Sequence, residues 1–243
     1  MTYSLRVACL GQEQIERDGD IVDASAWQGI LPRAIFLYLL FLGPTERETI
    51  GLQFWPDSTA SQIRDNFHTQ VRRARQAVGQ NTIHFEGDLY FINPKLDIWC
   101  DAFEFEKLVK QARLMSPRQR LVENWWRQAV ELNKGELLPS LDADWILSRR
   151  ETFQQMYSEA VLGLTNCLQK RERWGEAIPV LKQGLERDPL REDMYRPLMV
   201  SYARQGQTQQ VVRHFETLKR VLFEELALEP SSETIHLFQS LVH

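Results

Sequence analysis

Four arginines, Arg64, Arg72, Arg73 and Arg75, fall between Ser58 and Gln80 against a single acid, Asp65. A guanidinium group is a planar fork that takes guanine O6 and N7 together or clamps a phosphate. The chemistry suggested is recognition of duplex DNA, not bond-making. This stretch carries +3, whereas residues 1 to 98, with 9 basic and 12 acidic residues, carry −3. Screening is effective beyond roughly 8 Å at physiological salt, so charges next to a phosphate outweigh distant ones. The acidic total still lowers long-range steering. Charge alone fits a solvated arginine face equally well.

Catalytic chemistry finds little support. There is no glycine-rich phosphate loop with a Lys-Ser/Thr pair behind it. The histidines, His68, His84, His214, His236 and His243, lack metal-ligand spacing, and Cys9, Cys100 and Cys167 are odd in number and far apart in the sequence. Neither a structural zinc site nor a disulfide scaffold is expected, and no cofactor, metal or catalytic residue is assigned. Asp142 and Asp144 beside Trp145 read as a loop cap before a helix. The longest apolar run, Ala34 to Leu42, is nine residues and internal, too short for a span of about 20 and misplaced for a secretory signal. A buried core helix is expected there. With 243 residues, 43% hydrophobic, 26% charged and net −4, the chain is globular, and a reducing cytoplasm is its expected location.

The arginines need a scaffold. Leu5, Val7 and Cys9 alternate as in a half-buried strand. Asp18-Gly19 signals a hairpin, because both turn positions tolerate positive φ. A first helix is expected from Pro32 to Leu42, stopped by Gly43-Pro44, and a second from Glu46 to Phe54 before Trp55-Pro56-Asp57. The third runs from a cap near Ser58 to Val78, with Gly79 beyond it. At 100° per residue, Ile63, Phe67, Val71, Ala74 and Val78 form one stripe to be buried. Asp65, Thr69, Arg72, Arg73 and Gln76 project away, with Arg64, His68 and Arg75 on the flank. Such a helix is about 30 Å long and fits a major groove about 12 Å wide. Ile83 to Ile92, broken at Glu86-Gly87-Asp88, reads as a closing hairpin.

From Asp101 onward the apolar spacing is helical, punctuated at Ser116-Pro117, Leu138-Pro139, Asp188-Pro189 and Glu229-Pro230. Glu172 and Gly206 open similar segments 34 apart, the tetratricopeptide (TPR) period. Pro189 and Pro230 close them 41 apart, so the last helix pair must be longer. Trp125 and Trp126, adjacent on a helix, must face different ways: one to the core, the other onto a neighbour or a contact surface.

Several runs together carry a family resemblance. Arg47-Glu48-Thr49-Ile50, Trp55-Pro56-Asp57, Arg64-Asp65-Asn66-Phe67 and Arg72-Arg73-Ala74-Arg75-Gln76-Ala77-Val78-Gly79 resemble the OmpR-type winged helix-turn-helix of the Streptomyces antibiotic regulatory protein (SARP) family. Phe103-Glu104-Phe105-Glu106, Gly135-Glu136-Leu137-Leu138-Pro139, Asp144-Trp145, Asp188-Pro189-Leu190-Arg191-Glu192, Leu198-Met199 and Glu225-Leu226 to Thr234 resemble that family's bacterial transcriptional activator domain. The resemblance implies a mainly α fold with a small β part. A winged helix-turn-helix over residues 1–96 precedes an all-α, TPR-like domain over residues 97–243. It implies a sequence-specific activator that binds double-stranded promoter DNA, often as a homodimer on direct repeats, and recruits RNA polymerase.

Carried over by position, Arg72 and Arg73 touch the major groove and nearby phosphates. Arg47, Arg64 and Arg75 hold phosphates, Trp55 packs at the backbone, and His68 and Thr69 lie beside them. Three features depart from the pattern: Asp65 replaces an amide, His68 replaces an arginine, and the wing carries Glu86 and Asp88. Ala227 stands where the family has glycine, in a stretch leaving a helix where a left-handed residue is often needed. The rival expectation is a TPR-like adaptor with a degenerate winged helix; a third is the output segment of a larger signalling protein.

Overall fold

A computed structural model describes residues 4–116 and 119–242; Pro117, part of one expected break, and His243 lie outside them. The chain forms two compact units, one of residues 1–104 with 135–150, the other of residues 105–134 with 151–243. The first therefore recruits a stretch far along the sequence.

In the first unit, β1 (Leu5–Ala8) pairs antiparallel with β2 (Gln14–Arg17), which continues into β3 (Asp20–Ile21). Asp18 and Gly19 adopt φ of 52° and 95°, as the hairpin signal requires. A 3-10 turn (Ala24–Trp27) leads to α1 (Ile30–Leu42), where Ile35, Phe36, Leu37, Leu39 and Phe41 are buried, so the apolar run is a core helix. A two-residue strand β4 (Thr45–Glu46) precedes α2 (Arg47–Phe54) and α3 (Ala60–Val78). The hairpin β5 (Ile83–Glu86) and β6 (Leu89–Ile92) turns through Gly87 and Asp88, both at positive φ, and β6 also pairs with β4. Strand β7 (Ile98–Cys100) pairs parallel to β1 and completes a four-stranded sheet of order β3-β2-β1-β7.

The stretch 135–150 is zipped onto the end of β1. The Gly11 N–H donates to the Glu136 carbonyl at 2.8 Å and the Leu138 N–H to the Cys9 carbonyl at 2.8 Å. A β-carbon at Gly135 would fall 2.8 Å from the Gly11 Cα, so only glycine allows this approach. Arg150 gathers the carbonyls of Leu137, Leu138 and Leu141 on one guanidinium. That holds Leu138 at φ 48°, an unfavourable angle for a branched residue. Asp142 is exposed and Asp144 is the first residue of the next helix; Trp145 meets Tyr38 edge-on at 5.3 Å.

The second unit is helical. It draws on α4 (Asp101–Arg113), α5 (Arg120–Leu132), α6 (Asp144–Gln169), α7 (Trp174–Arg187), α8 (Glu192–Arg204), α9 (Thr208–Leu226) and α10 (Ser232–Val242). Helices α7 and α9 begin 34 positions apart, and α9 has 19 residues where α7 has 14, so the last pair is the longer one. Glu172 and Gly206, the matching positions before them, are both left-handed, at φ 58° and 71°. Ala227 is left-handed too, at φ 55°, as expected of a glycine position. Trp126 is buried and Trp125 half-buried. No helix among the described residues is long and apolar enough to cross a membrane.

Candidate nucleic-acid interface

Helix α3 starts one residue later than the Ser58 cap would place it. Thr59 caps it through a reciprocal box: its hydroxyl accepts from the Gln62 N–H at 3.4 Å, while the Gln62 side chain accepts from the Thr59 N–H at 2.9 Å. The threonine-x-x-glutamine signal for this was in the sequence. Ile63, Phe67, Val71, Ala74 and Val78 are all buried. Helix α2 reaches α3 at Gly51, where a β-carbon would fall 2.2 Å from Ile63 Cγ2. Phe67 packs edge-on against Tyr90 of the wing, ring centres 4.6 Å apart. These contacts fix the roll of α3 about its axis, and so decide which side chains face outward.

The outward face carries Ser61, Asp65, His68, Thr69, Arg72 and Gln76, exposed or half-exposed. Arg72 has no hydrogen-bond or ion-pair partner among the described residues. Arg64 lies 3.6 Å from the Asp65 carboxylate in an exposed pair. Thr69 turns its hydroxyl back to the Asp65 carbonyl at 2.9 Å, and His68 sits beside the Phe67 ring.

Two predicted arginines are engaged elsewhere. Arg75 donates from Nε and Nη2 to the Ile83 carbonyl, at 3.0 and 2.7 Å, and so ties α3 to the first wing strand. Arg73 donates from Nη1 to the Gln28 carbonyl at 3.4 Å, and its Nε is buried with no partner among the described residues. Gln28 also donates from Nε2 to the Gln76 Oε1 at 3.3 Å. Sequence reasoning did not single out Gln28. The signal that could have found it is the Trp27-Gln28-Gly29 turn, where Gln28 and Gly29 take positive φ.

At the start of α2, Arg47 donates from Nε to Glu48 at 3.1 Å. That hydrogen bond keeps the guanidinium above its ordinary value, opposed by burial and aided by the charges of Glu48, Tyr90 and the wing's Asp88. Trp55, just past α2, is half-exposed and tilted against Phe54 at 6.0 Å. On the wing, Phe85, Glu86 and Asp88 are exposed. The arginines thus divide into Arg72 and Arg64 facing outward, Arg73 and Arg75 bracing the scaffold, and Arg47 held by its neighbour.

The fold also joins two cysteines that the sequence separates. Cys9 and Cys100 lie 3.7 Å apart beside Asp101, all three buried, the one trio among the described residues close enough to hold a metal ion. The Asp101 carboxylate already accepts from the N–H groups of Cys9, Leu10 and Ala102 and from the Cys9 thiol. The contact with Cys100, together with burial, pushes the Cys9 thiol far above its usual range. The Asp101 bonds tie the loop after β1 to the start of α4.

Comparison with known proteins places the later part of the chain in a family. Residues 100–242 match the family model for the bacterial transcriptional activator domain. The chain is 25% identical over 148 residues to the regulatory protein DnrI of Streptomyces peucetius, covering 58% of this chain and 53% of that one. It is 26% identical over 251 residues to the regulatory protein AfsR of Streptomyces griseus, covering 98% of this chain and 24% of that one. It therefore spans about half of one relative and a quarter of the other. These relatives agree with the SARP resemblance. A solved structure, Mycobacterium tuberculosis EmbR in complex with a low affinity phosphopeptide, shares the fold with a TM-score of 0.78 at 18% identity, covering 99% of this chain and 65% of that one. On the match over residues 100–242, the chain belongs to the bacterial transcriptional activator domain family.

Proposed function

We propose that this chain is a sequence-specific transcription regulator of the cytoplasm, with α3 reading promoter DNA and the helical repeats serving as the activator platform. The observation that carries the reading is the outer face of α3, where Arg72 is without a partner among the described residues, on a helix whose opposite side is fixed in the core. The names of the regulatory relatives support it. In this reading Arg72 takes a guanine edge, and Arg64 and Arg47 exchange exposed carboxylate partners for phosphates. Trp55, His68 and Thr69 line the backbone on either side. Arg73 and Arg75 keep their scaffold bonds and offer their remaining N–H groups to nearby phosphates. Binding as a homodimer on direct repeats and recruitment of RNA polymerase rest on the family resemblance.

A salt titration of binding to promoter fragments tests the proposal. Each phosphate contact contributes about −0.9 to the slope of log K against log salt, so three or four contacts give roughly −3 to −4. A flat response, or no binding to any duplex, overturns it. The second reading, an adaptor without DNA contact, is favoured by the exposed Glu86 and Asp88 of the wing. Glu86→Arg separates the two: a DNA binder tightens, and an adaptor's partner binding is unmoved.

A further inference from the structure

We infer, resting on the DNA-binding reading above, that Asp65 selects a base: its carboxylate takes the amino group of a cytosine in the major groove. Asp65 sits at the middle of the outward face, on the same line as Arg72 and Gln76. Its side chain is 74% exposed, and the one group paired with its carboxylate among the described residues is Arg64 at 3.6 Å. Arg64 lies about 100° further round the helix, where a phosphate suits it, so docking leaves Asp65 facing the bases.

A carboxylate only accepts hydrogen bonds. In the major groove guanine presents the acceptors N7 and O6 and thymine O4, so neither can satisfy it. Adenine offers its N6 amino group beside the acceptor N7, which repels a carboxylate. Cytosine offers its N4 amino group alone. With guanine or thymine the carboxylate loses water and gains no donor, and with adenine the donor comes beside a repelling acceptor, so discrimination arises mainly from rejection of wrong sequences. Arg72 lies seven residues on, about 10.5 Å along the axis, or about three base-pair steps of 3.4 Å. The expected core element is a cytosine met by Asp65 and a guanine met by Arg72 about three pairs away.

The test selects the 243-residue chain, Asp65→Ala and Asp65→Asn against a random duplex pool, then measures affinity at fixed salt for the selected site and its single-base variants. The unaltered protein should lose about 5- to 150-fold when the cytosine becomes guanine or thymine. Asp65→Ala should bind all sites more tightly while losing preference at that one position. Asp65→Asn should move the preference to adenine, whose N6 and N7 suit an amide. Arg72→Ala should relax a different position about three pairs away. If Asp65→Ala keeps the same preference at every position, the assignment is overturned and DNA binding stands. If the unaltered protein selects nothing from the pool, the DNA-binding reading fails and the assignment with it. Asp65 is exposed, so circular dichroism of both variants should match the unaltered protein.

Discussion

The indole of Trp126 occupies the space in which a side chain at Gly163 would begin: a β-carbon there would fall 2.5 Å from Cε2 and 2.7 Å from Nε1. A buried ring cannot swing aside as the end of a long chain can. Gly163→Ala should therefore destabilise the second unit by about 1–3 kcal/mol, despite alanine's higher helix propensity. A denaturant midpoint at unchanged slope measures it, and an unchanged or raised midpoint contradicts the packing.

The left-handed positions give predictions of opposite sign. Glu172 and Ala227 adopt φ of 58° and 55°, in a region that costs a residue with a β-carbon about 1–2 kcal/mol. Glycine removes that strain but loses more chain entropy on folding. Glu172→Gly and Ala227→Gly should each stabilise by up to about 1 kcal/mol, whereas Gly206→Ala, at the equivalent turn of the next repeat, should destabilise by about 1 kcal/mol. Thermal melts of the three variants read the signs directly.

Glu123 should give the second unit an acid limb. Burial by itself raises this carboxyl, but hydrogen bonds from Arg127 and Arg173 and the charges of Arg173 and Arg171 outweigh it, so the net shift is downward. A group with a depressed folded pKa contributes stability above its unfolded value, here near 4.5, and loses it as pH falls through the folded one. Glu123→Gln should cost about 1–3 kcal/mol at neutral pH, and the gap to the unaltered protein should close toward acid. A gap constant down to pH 3 would contradict the assignment.

Asp101 anchors the first turn of α4 to the stretch after β1 through the N–H groups of Cys9 and Leu10 and the Cys9 thiol, while its carboxylate also accepts from the Ala102 N–H. Asp101→Asn keeps the shape but turns an amide donor toward those donors. We expect a loss of about 2–3 kcal/mol, read as a lower melting temperature.

The two kinds of arginine on α3 separate by variant. Arg75→Ala removes both bonds to the Ile83 carbonyl, so it should lower stability by about 1–2 kcal/mol and loosen the wing in hydrogen exchange. Arg72→Ala should leave the melt unchanged and weaken DNA binding. Equal effects on both readouts would erase the distinction.

What the sequence showed was set by how local its cause is. Asp18-Gly19 and Gly87-Asp88 turn because of their own φ preferences, and the stripe from Ile63 to Val78 follows from helical spacing, so both could be read directly. Strand β7 is three residues long and exists by pairing with β1, and the nearness of Cys9 to Cys100 follows from that pairing. Neither leaves a local trace. The roles of Arg73 and Arg75 were hidden for a related reason: their partners are main-chain carbonyls, which every residue carries. Thr59 displaced Ser58 as the cap because Gln62 stands three residues after it.

Residues 135–150 return to the first unit, so the chain passes between the units three times. A single genetic crossover near residue 100 would give β1 of one lineage a Leu137 segment shaped for another, with Gly11 and Gly135 required to match at backbone distance. Exchanging front halves would then disturb this joint. Point substitution on the solvent side of α3 leaves that joint untouched, so under the proposed function it is the route by which sequence preference would change.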